Sequence, residues 1–155
     1  MFNHLDTLLI KVASRCNLDC SYCYVYQGQD QNWVDQPKRI SKETIDSICK
    51  SIDQVTSFQN KGFAVVLHGG EPLLLGAVKL EEILSNLRIV LPNYDKYPIA
   101  IQTNGILLND EIVEICSRYK TSISVSLDGL KKSNDIARFT HDGQSSFQKV
   151  INGIN

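Results

Sequence analysis

Residues 122–128 read Ser-Ile-Ser-Val-Ser-Leu-Asp, an alternation of small polar and apolar side chains that decides between two α/β folds. Successive side chains of a β-strand point to opposite faces, so Ile123, Val125 and Leu127 share one face and the other face is polar. In a doubly wound parallel sheet both faces are covered by helices and are apolar. A polar face instead predicts a lumen or a ligand-facing surface, as in a curved (β/α) barrel.

Strands and helices alternate along the rest of the chain. Short apolar runs predict strands at residues 8–13, 63–67 and 99–103, in addition to 122–127. Apolar residues at the helical period predict helices after Ser41, from Ala77, after Asn109 and from Ser145 or Ser146. Connections of this length predict βα units around a parallel sheet. Four units are about half of an eight-unit barrel of roughly 250 residues, so the predicted fold class is α/β, a partial (β/α) barrel.

Composition and charge exclude several classes of partner. The 155 residues are 43% hydrophobic, enough for one core, and 16 basic against 17 acidic side chains leave a net charge of -1. This balance gives no electrostatic footprint for DNA, RNA or an anionic membrane. No apolar run reaches the length of a membrane span, and residues 1–12 lack the features of a secretory signal. We therefore expect a soluble, cytoplasmic chain without nucleic-acid or membrane partners.

Three cysteines form a C-x3-C-x2-C motif directly after the first predicted strand: Cys16, Cys20 and Cys23. Each thiolate can bind one iron of a [4Fe–4S] cubane. Because such clusters normally have four cysteine ligands, three of them leave one iron open to a small molecule. A structural zinc site completed by His4 or His68 is an alternative, as are a disulfide beside a free thiol and chance clustering.

Three short motifs and one arginine follow the later strands. His-Gly-Gly-Glu-Pro occupies residues 68–72, Gln-Thr-Asn-Gly residues 102–105 and Ser-Leu-Asp-Gly residues 126–129, and Arg138 lies ten residues after Asp128. Taken singly, each motif is typical of a turn, and the arginine is typical of a solvated surface. Their order and position place them together at the carboxyl edge of the predicted sheet, where active sites of this architecture are assembled.

With the aromatic Tyr22 before its third cysteine, the cysteine motif resembles the signature of the radical S-adenosylmethionine (SAM) superfamily. The three later motifs resemble the GGEP, TNG and S-x-D-G elements of that family, and Arg138 resembles its carboxylate-binding arginine. The resemblance runs from about residue 8 onward. It implies that residues 1–155 are the N-terminal portion of a radical SAM core domain, with an incomplete barrel and no auxiliary-cluster domain.

The resemblance implies two cofactors: a [4Fe–4S] cluster on the three cysteines, and SAM, whose amino and carboxylate groups bind the open iron. The backbone of residues 69–71 would receive the methionine ammonium, because glycine permits close approach. The implied cofactor-binding residues are Tyr22 near the adenine, Gly69, Gly70 and Glu71 for the ammonium, and Ser126 and Arg138 for the carboxylate. No catalytic residue is assigned beyond the cluster. One electron would cleave SAM to methionine and a 5′-deoxyadenosyl radical, which abstracts a substrate hydrogen.

Within the superfamily, residues 9–18 resemble anaerobic sulfatase maturases and peptide maturases. The Cys23–Tyr26 continuation and the loop with Trp33 resemble maturases that crosslink side chains of ribosomally made (RiPP) peptides, including cyclophane formers. Such enzymes carry a C-terminal SPASM domain, whose cysteines this sequence lacks. The implied function is an oxidoreductase that modifies or crosslinks a peptide and takes electrons from a flavodoxin or ferredoxin. A sulfatase-maturase-like enzyme and a non-catalytic fragment that binds the cluster or SAM stay open.

Four further residues carry weaker expectations. Cys49 and Cys116 fall on the apolar stripes of two predicted helices and are expected to pack as buried free thiols. His68 is expected to face the lumen, where a ligand contact and a structural hydrogen bond are equal alternatives. Asp128 is either a site residue or a turn residue. The polar loop of residues 26–38 is expected to cover part of the site.

Overall fold

The computed structural model describes residues 4–155 and contains a four-stranded parallel sheet. The strands are β1 (Thr7–Ala13), β2 (Ala64–Gly69), β3 (Ile99–Thr103) and β4 (Thr121–Val125), and they lie side by side in chain order. Parallel register joins each strand to the next, with Leu9 beside Val66 and Ala100 beside Ser122. The α/β class and the partial barrel predicted from the sequence are confirmed.

Within residues 4–155, five α-helices connect or follow the strands. They are α1 (Lys42–Phe58), α2 (Ala77–Val90), α3 (Asp110–Arg118), α4 (Lys131–Asn134) and α5 (Phe147–Ile154). Two predicted caps are present: the Ser41 hydroxyl accepts from Thr44 N at 3.2 Å, and Asn109 Oδ1 accepts from Ile112 N at 3.0 Å. The short helix α4 was not predicted, because four residues are too few to show a helical period. No helix among residues 4–155 is long and apolar enough to cross a membrane.

One face of the sheet packs against the helices and forms the core. Its buried side chains come from β1 to β3 and from α1 to α3, and include Val12, Val65, Leu67, Ile99, Ile101, Ile45, Leu80, Leu84, Leu87 and Cys116. The opposite face is open, and the alternation in residues 122–128 explains why: Ser122 and Ser124 are exposed, whereas Ile123 packs against the core. Cys116 is buried as expected, whereas Cys49 packs against the core but is only half-buried.

Strand β4 ends two residues earlier than predicted. Ser126 N still donates to Thr103 O at 2.9 Å, and Gly129 then turns the chain with a φ of 75°. The loop after β4 therefore begins at the carboxyl edge of the sheet.

A buried arginine joins α2 to the turn between α3 and β4. Arg88 donates to Tyr97 O at 2.8 Å, to Tyr119 O at 2.8 Å and to Lys120 O at 2.9 Å. Burial lowers the pKa of Arg88. The guanidinium gives these three carbonyl oxygens charge-assisted hydrogen bonds.

Candidate functional site

A cavity of about 180 Å³ opens where the four strands end. Most of the residues that the sequence singled out line it: Cys16, Cys20, Cys23, Tyr22, Gly69, Gly70, Ser126 and Arg138. Glu71 does not line it, because its side chain is fully buried beneath the cavity wall. His68 lines the cavity as well, as expected from its strand face. Four separate turns thus meet at one edge of the sheet.

The loop that carries the three cysteines, residues 16–23 (the cysteine loop), is hydrogen-bonded to a distant part of the chain, residues 137–141. Asp19 N donates to Phe139 O at 2.8 Å, and Ser21 N donates to Ala137 O at 2.9 Å. The His141 ring nitrogen Nε2 lies 3.0 Å from Cys16 O. These contacts hold the loop beside Arg138, whose guanidinium also enters the cavity. The sequence pointed to Arg138 but not to these contacts, because backbone hydrogen bonds between distant residues leave no pattern in the sequence.

The three thiols are half-buried and free of disulfides. Burial raises the pKa of the Cys16 thiol to about 11 and also raises that of Cys20, which the positive charge of Arg138 opposes. Within residues 4–155 no three His, Cys, Asp or Glu side chains are close enough to share one metal ion. Burial thus favours the protonated thiols of Cys16 and Cys20, and ligation of a metal would displace these protons.

The turn at Gly69 and Gly70 (the Gly-Gly turn) lies so close to the backbone of residues 13–15 that neither residue has room for a side chain. Gly70 N donates to Ala13 O and Glu71 N to Arg15 O, each at 2.9 Å. Gly69 has a φ of 146°, and a Cβ there would overlap the Ala13 carbonyl oxygen. An ammonium group only donates hydrogen bonds, so an ammonium ligand at this turn would be received by carbonyl oxygens and not by these N–H groups.

Glu71 connects the ends of β2 and β3. Its Oε1 accepts from Leu73 N at 2.9 Å and from Thr103 Oγ1 at 2.7 Å, and its Oε2 accepts from Asn104 N at 2.7 Å. Burial raises the pKa of Glu71, and these three hydrogen bonds oppose the increase. The carboxylate makes these hydrogen bonds inside the protein and thereby holds the Gly-Gly turn next to β3.

Arg138 is 7% exposed and is the cation of the cavity. Its Nη1 donates to Tyr22 Oη at 2.7 Å, and Tyr22 Oη donates to Asp128 Oδ2 at 2.8 Å. The Nε atom of Arg138 is buried and has no protein partner among the described residues. Asp128, which the sequence left open as a site or turn residue, does not line the cavity but accepts a hydrogen bond from Tyr22, which does.

Ser126 and Gln102 face the cavity from β4 and β3. Gln102 Nε2 donates to Ser126 Oγ at 2.8 Å, which leaves the hydroxyl proton of Ser126 free to donate to an anion. His68 Nδ1 accepts from Gly69 N at 2.7 Å, so its Nε2 carries the proton in the neutral ring. Gln102 belongs to the Gln-Thr-Asn-Gly motif, but its role could not be predicted because its hydrogen-bond partner is 24 residues away in the sequence.

The loop of residues 26–38 encloses a second, larger cavity of about 490 Å³. Tyr26 and Trp33 pack edge to face with ring centroids 4.8 Å apart, and the Arg15 guanidinium lies 5.1 Å from the Trp33 ring centroid. Tyr26, Gly69 and Gly70 line both cavities. The loop thus covers the side of the site next to β1.

Comparison with known proteins agrees with this geometry. Residues 10–155 match the family model of the radical SAM superfamily. The chain is 27% identical to the radical SAM cyclopropyl synthase TigE of Paramaledivibacter caminithermalis, covering 97% of the chain and 32% of that protein. It is 31% identical to a cysteine-type anaerobic sulfatase-maturating enzyme of Clostridium perfringens, covering 93% of the chain and 38% of the enzyme.

The fold is shared with solved structures. A structure of anSMEcpe with bound AdoMet and the Cp18Cys peptide superposes with a TM-score of 0.75 at 27% identity, covering 97% of this chain and 39% of that one. The chain thus spans between about a third and two fifths of the length of these relatives. The family match covers nearly all of the residues that form the sheet and the cavity, and the chain belongs to the radical SAM superfamily.

Proposed function

We propose that the protein is a radical SAM enzyme that holds a [4Fe–4S] cluster on Cys16, Cys20 and Cys23 and cleaves SAM reductively. The observation that carries the proposal is the cavity in which these three thiols meet a nearly buried arginine and a serine hydroxyl. In this proposal, residues 1–155 form the N-terminal portion of a core domain.

The donor set fits the cluster better than a single zinc ion. Zinc is held by four N or S ligands around one point, whereas the described residues contain no such group. In a [4Fe–4S] cubane each thiolate binds a different iron. The three sulfur atoms are therefore expected to lie apart, around one side of the cluster, and not to converge on a single point. When bound, the cluster supplies one electron that breaks the C5′–S bond of SAM to give methionine and a 5′-deoxyadenosyl radical.

The residues of the chain orient the methionine end of SAM. Arg138 has a buried Nε without a protein partner, and Ser126 has a free hydroxyl proton, so both can donate to the methionine carboxylate. Carbonyl oxygens of the Gly69–Glu71 turn receive the ammonium group. Tyr22 is held between Arg138 and Asp128, and its position at the cavity mouth suits the adenine.

For the substrate we propose a peptide, and for the reaction a modification or crosslink within a ribosomally made peptide. The relatives support this choice, since one is a cyclopropyl synthase and anSMEcpe is seen with a peptide bound. A sulfatase-maturase-like reaction is the second candidate, favoured by the 31% identity to the Clostridium perfringens enzyme. A flavodoxin or ferredoxin is the proposed electron donor in either case.

The test uses the full-length protein, purified and reconstituted without oxygen. We expect iron and labile sulfide in the protein and formation of 5′-deoxyadenosine from SAM with dithionite. Cys20→Ala is expected to abolish both cluster and product, because the chain offers no further thiol at the cavity. Cys49→Ser, at a thiol outside the cavity, is the matched control and is expected to keep them.

Several outcomes contradict the proposal. Zinc without iron or sulfide would show a structural metal site. A loaded cluster with no 5′-deoxyadenosine would show a binding module rather than an enzyme. Incubation with synthetic peptides and with a sulfatase peptide then separates the two substrate candidates by mass spectrometry.

A further inference from the structure

The Asn104 side chain lies against the sulfur of Cys16 at the floor of the cavity. Asn104 directly follows β3 and is 7% exposed. Its amide nitrogen Nδ2 is 3.7 Å from Cys16 Sγ and 2.7 Å from Asn17 Oδ1. An amide group has two N–H bonds, so one nitrogen can serve both acceptors.

Neighbouring hydrogen bonds fix which end of the amide faces the sulfur. Asn104 Oδ1 accepts from Ile106 N at 3.1 Å, so the oxygen is directed away from Cys16 and the nitrogen toward it. The backbone N of Asn104 donates to Oε2 of the buried Glu71 at 2.7 Å, and this hydrogen bond fixes the backbone of Asn104. The donor is therefore placed before any cofactor binds.

Cys16 differs from the other two cysteines in its hydrogen bonding. Leu18 N donates to Cys16 Sγ at 3.4 Å, so two N–H groups point at this sulfur. Within residues 4–155, no comparable donor contacts the sulfur of Cys20 or Cys23. Hydrogen bonds to cluster sulfurs are one of the factors that set the reduction potential of an iron–sulfur cluster.

We propose that Asn104 raises the reduction potential of the cluster by donating an N–H···S hydrogen bond to Cys16. This inference rests on the proposed function. Reduction adds one electron to the cluster and makes its sulfurs more negative, so a donor stabilises the reduced state more than the oxidised state. Asn104 then eases electron entry from a flavodoxin- or ferredoxin-type donor and leaves less driving force for the cleavage of SAM.

The experiment is a redox titration of the full-length protein without SAM, with the reduced cluster monitored by EPR and dithionite as reductant. Asn104→Asp keeps the acceptor for Ile106 N and the side-chain shape but replaces the donor with an anionic oxygen. We expect about a tenfold drop in the equilibrium constant for reduction, a midpoint about 59 mV more negative for one electron. Asn104→Ala, without the added charge, is expected to shift it in the same direction by about threefold, about 28 mV.

Asn109→Asp is the matched control. It adds the same charge at the exposed N-cap of α3, where Asp caps as well as Asn, and we expect an unchanged midpoint. Unchanged midpoints in both Asn104 variants would overturn the inference while leaving the cluster intact. Variants that hold no cluster would also overturn it, since Asn104 would then be needed for assembly. A parent protein without iron and sulfide would instead refute the proposed function.

Discussion

Replacement of Glu71 by glutamine tests whether this buried carboxylate holds the site together. Glutamine keeps one oxygen for Leu73 N and Thr103 Oγ1, but its amide nitrogen faces Asn104 N, donor against donor. A lost charge-assisted hydrogen bond costs about 1.5–3 kcal/mol, and a buried donor without a partner costs about 1–3 kcal/mol. Removal of a buried charge returns part of this energy. We therefore expect a net loss of about 3 kcal/mol in the free energy of unfolding.

Thermal unfolding followed by circular dichroism measures this effect. For a domain of this size 1 kcal/mol shifts Tm by about 2–4 °C, so Glu71→Gln is expected to lower it by about 6–12 °C. Glu114→Gln, on the exposed surface of α3, is the control and should stay within about 0.5 kcal/mol of the parent. A loss of less than about 1 kcal/mol in Glu71→Gln would refute the reasoning, because the three contacts would then contribute little to stability.

Three further substitutions test the packing around the site and in the core. Gly70→Ala should lower stability by about 3 kcal/mol and reduce iron content, because its Cβ would overlap the Arg15 carbonyl oxygen and the Tyr26 hydroxyl; normal iron content with unchanged Tm would contradict this. Arg88→Leu removes the guanidinium donor from three carbonyl oxygens, and urea unfolding should show a loss of about 3 kcal/mol; a loss below about 1 kcal/mol would show that water replaces the guanidinium. Cys116→Ser buries a hydroxyl in the core, so stability should fall by about 1–3 kcal/mol with iron content unchanged, whereas loss of iron would place this thiol in the site.

The elements that the sequence predicted well are those with a local signal. Residues 99–103 form a strand with the predicted ends, and Asn109 caps the helix that follows it. The polar face of residues 122–128 predicted the open face of the sheet. In each case the prediction depends only on neighbouring residues. The pleat of a strand alternates its side chains between two faces, and the free N–H groups of a first helical turn need a capping side chain nearby.

Contacts between residues that are distant in the sequence could not be predicted. Nothing in the pattern indicated that Arg88 would bond to three carbonyl oxygens or that Asn104 would face a cysteine sulfur. The GGEP motif placed Glu71 at the site, but only the structure shows that its oxygens point inward to Thr103 and Asn104. Such contacts depend on the packing of several elements at once, which periodicity and local motifs do not encode.

The hydrogen bonds between the cysteine loop and residues 137–141 have a consequence for folding during protein synthesis. Asp19 N donates to the carbonyl oxygen of Phe139, which lies 120 residues further along the chain. At about 5–20 residues per second, the ribosome needs about 6–24 s to make the stretch between them. Throughout that time the nascent thiols lack the segment that later lies against their loop. Iron and sulfide delivered in this interval would reach the three cysteines without any opening of the finished fold.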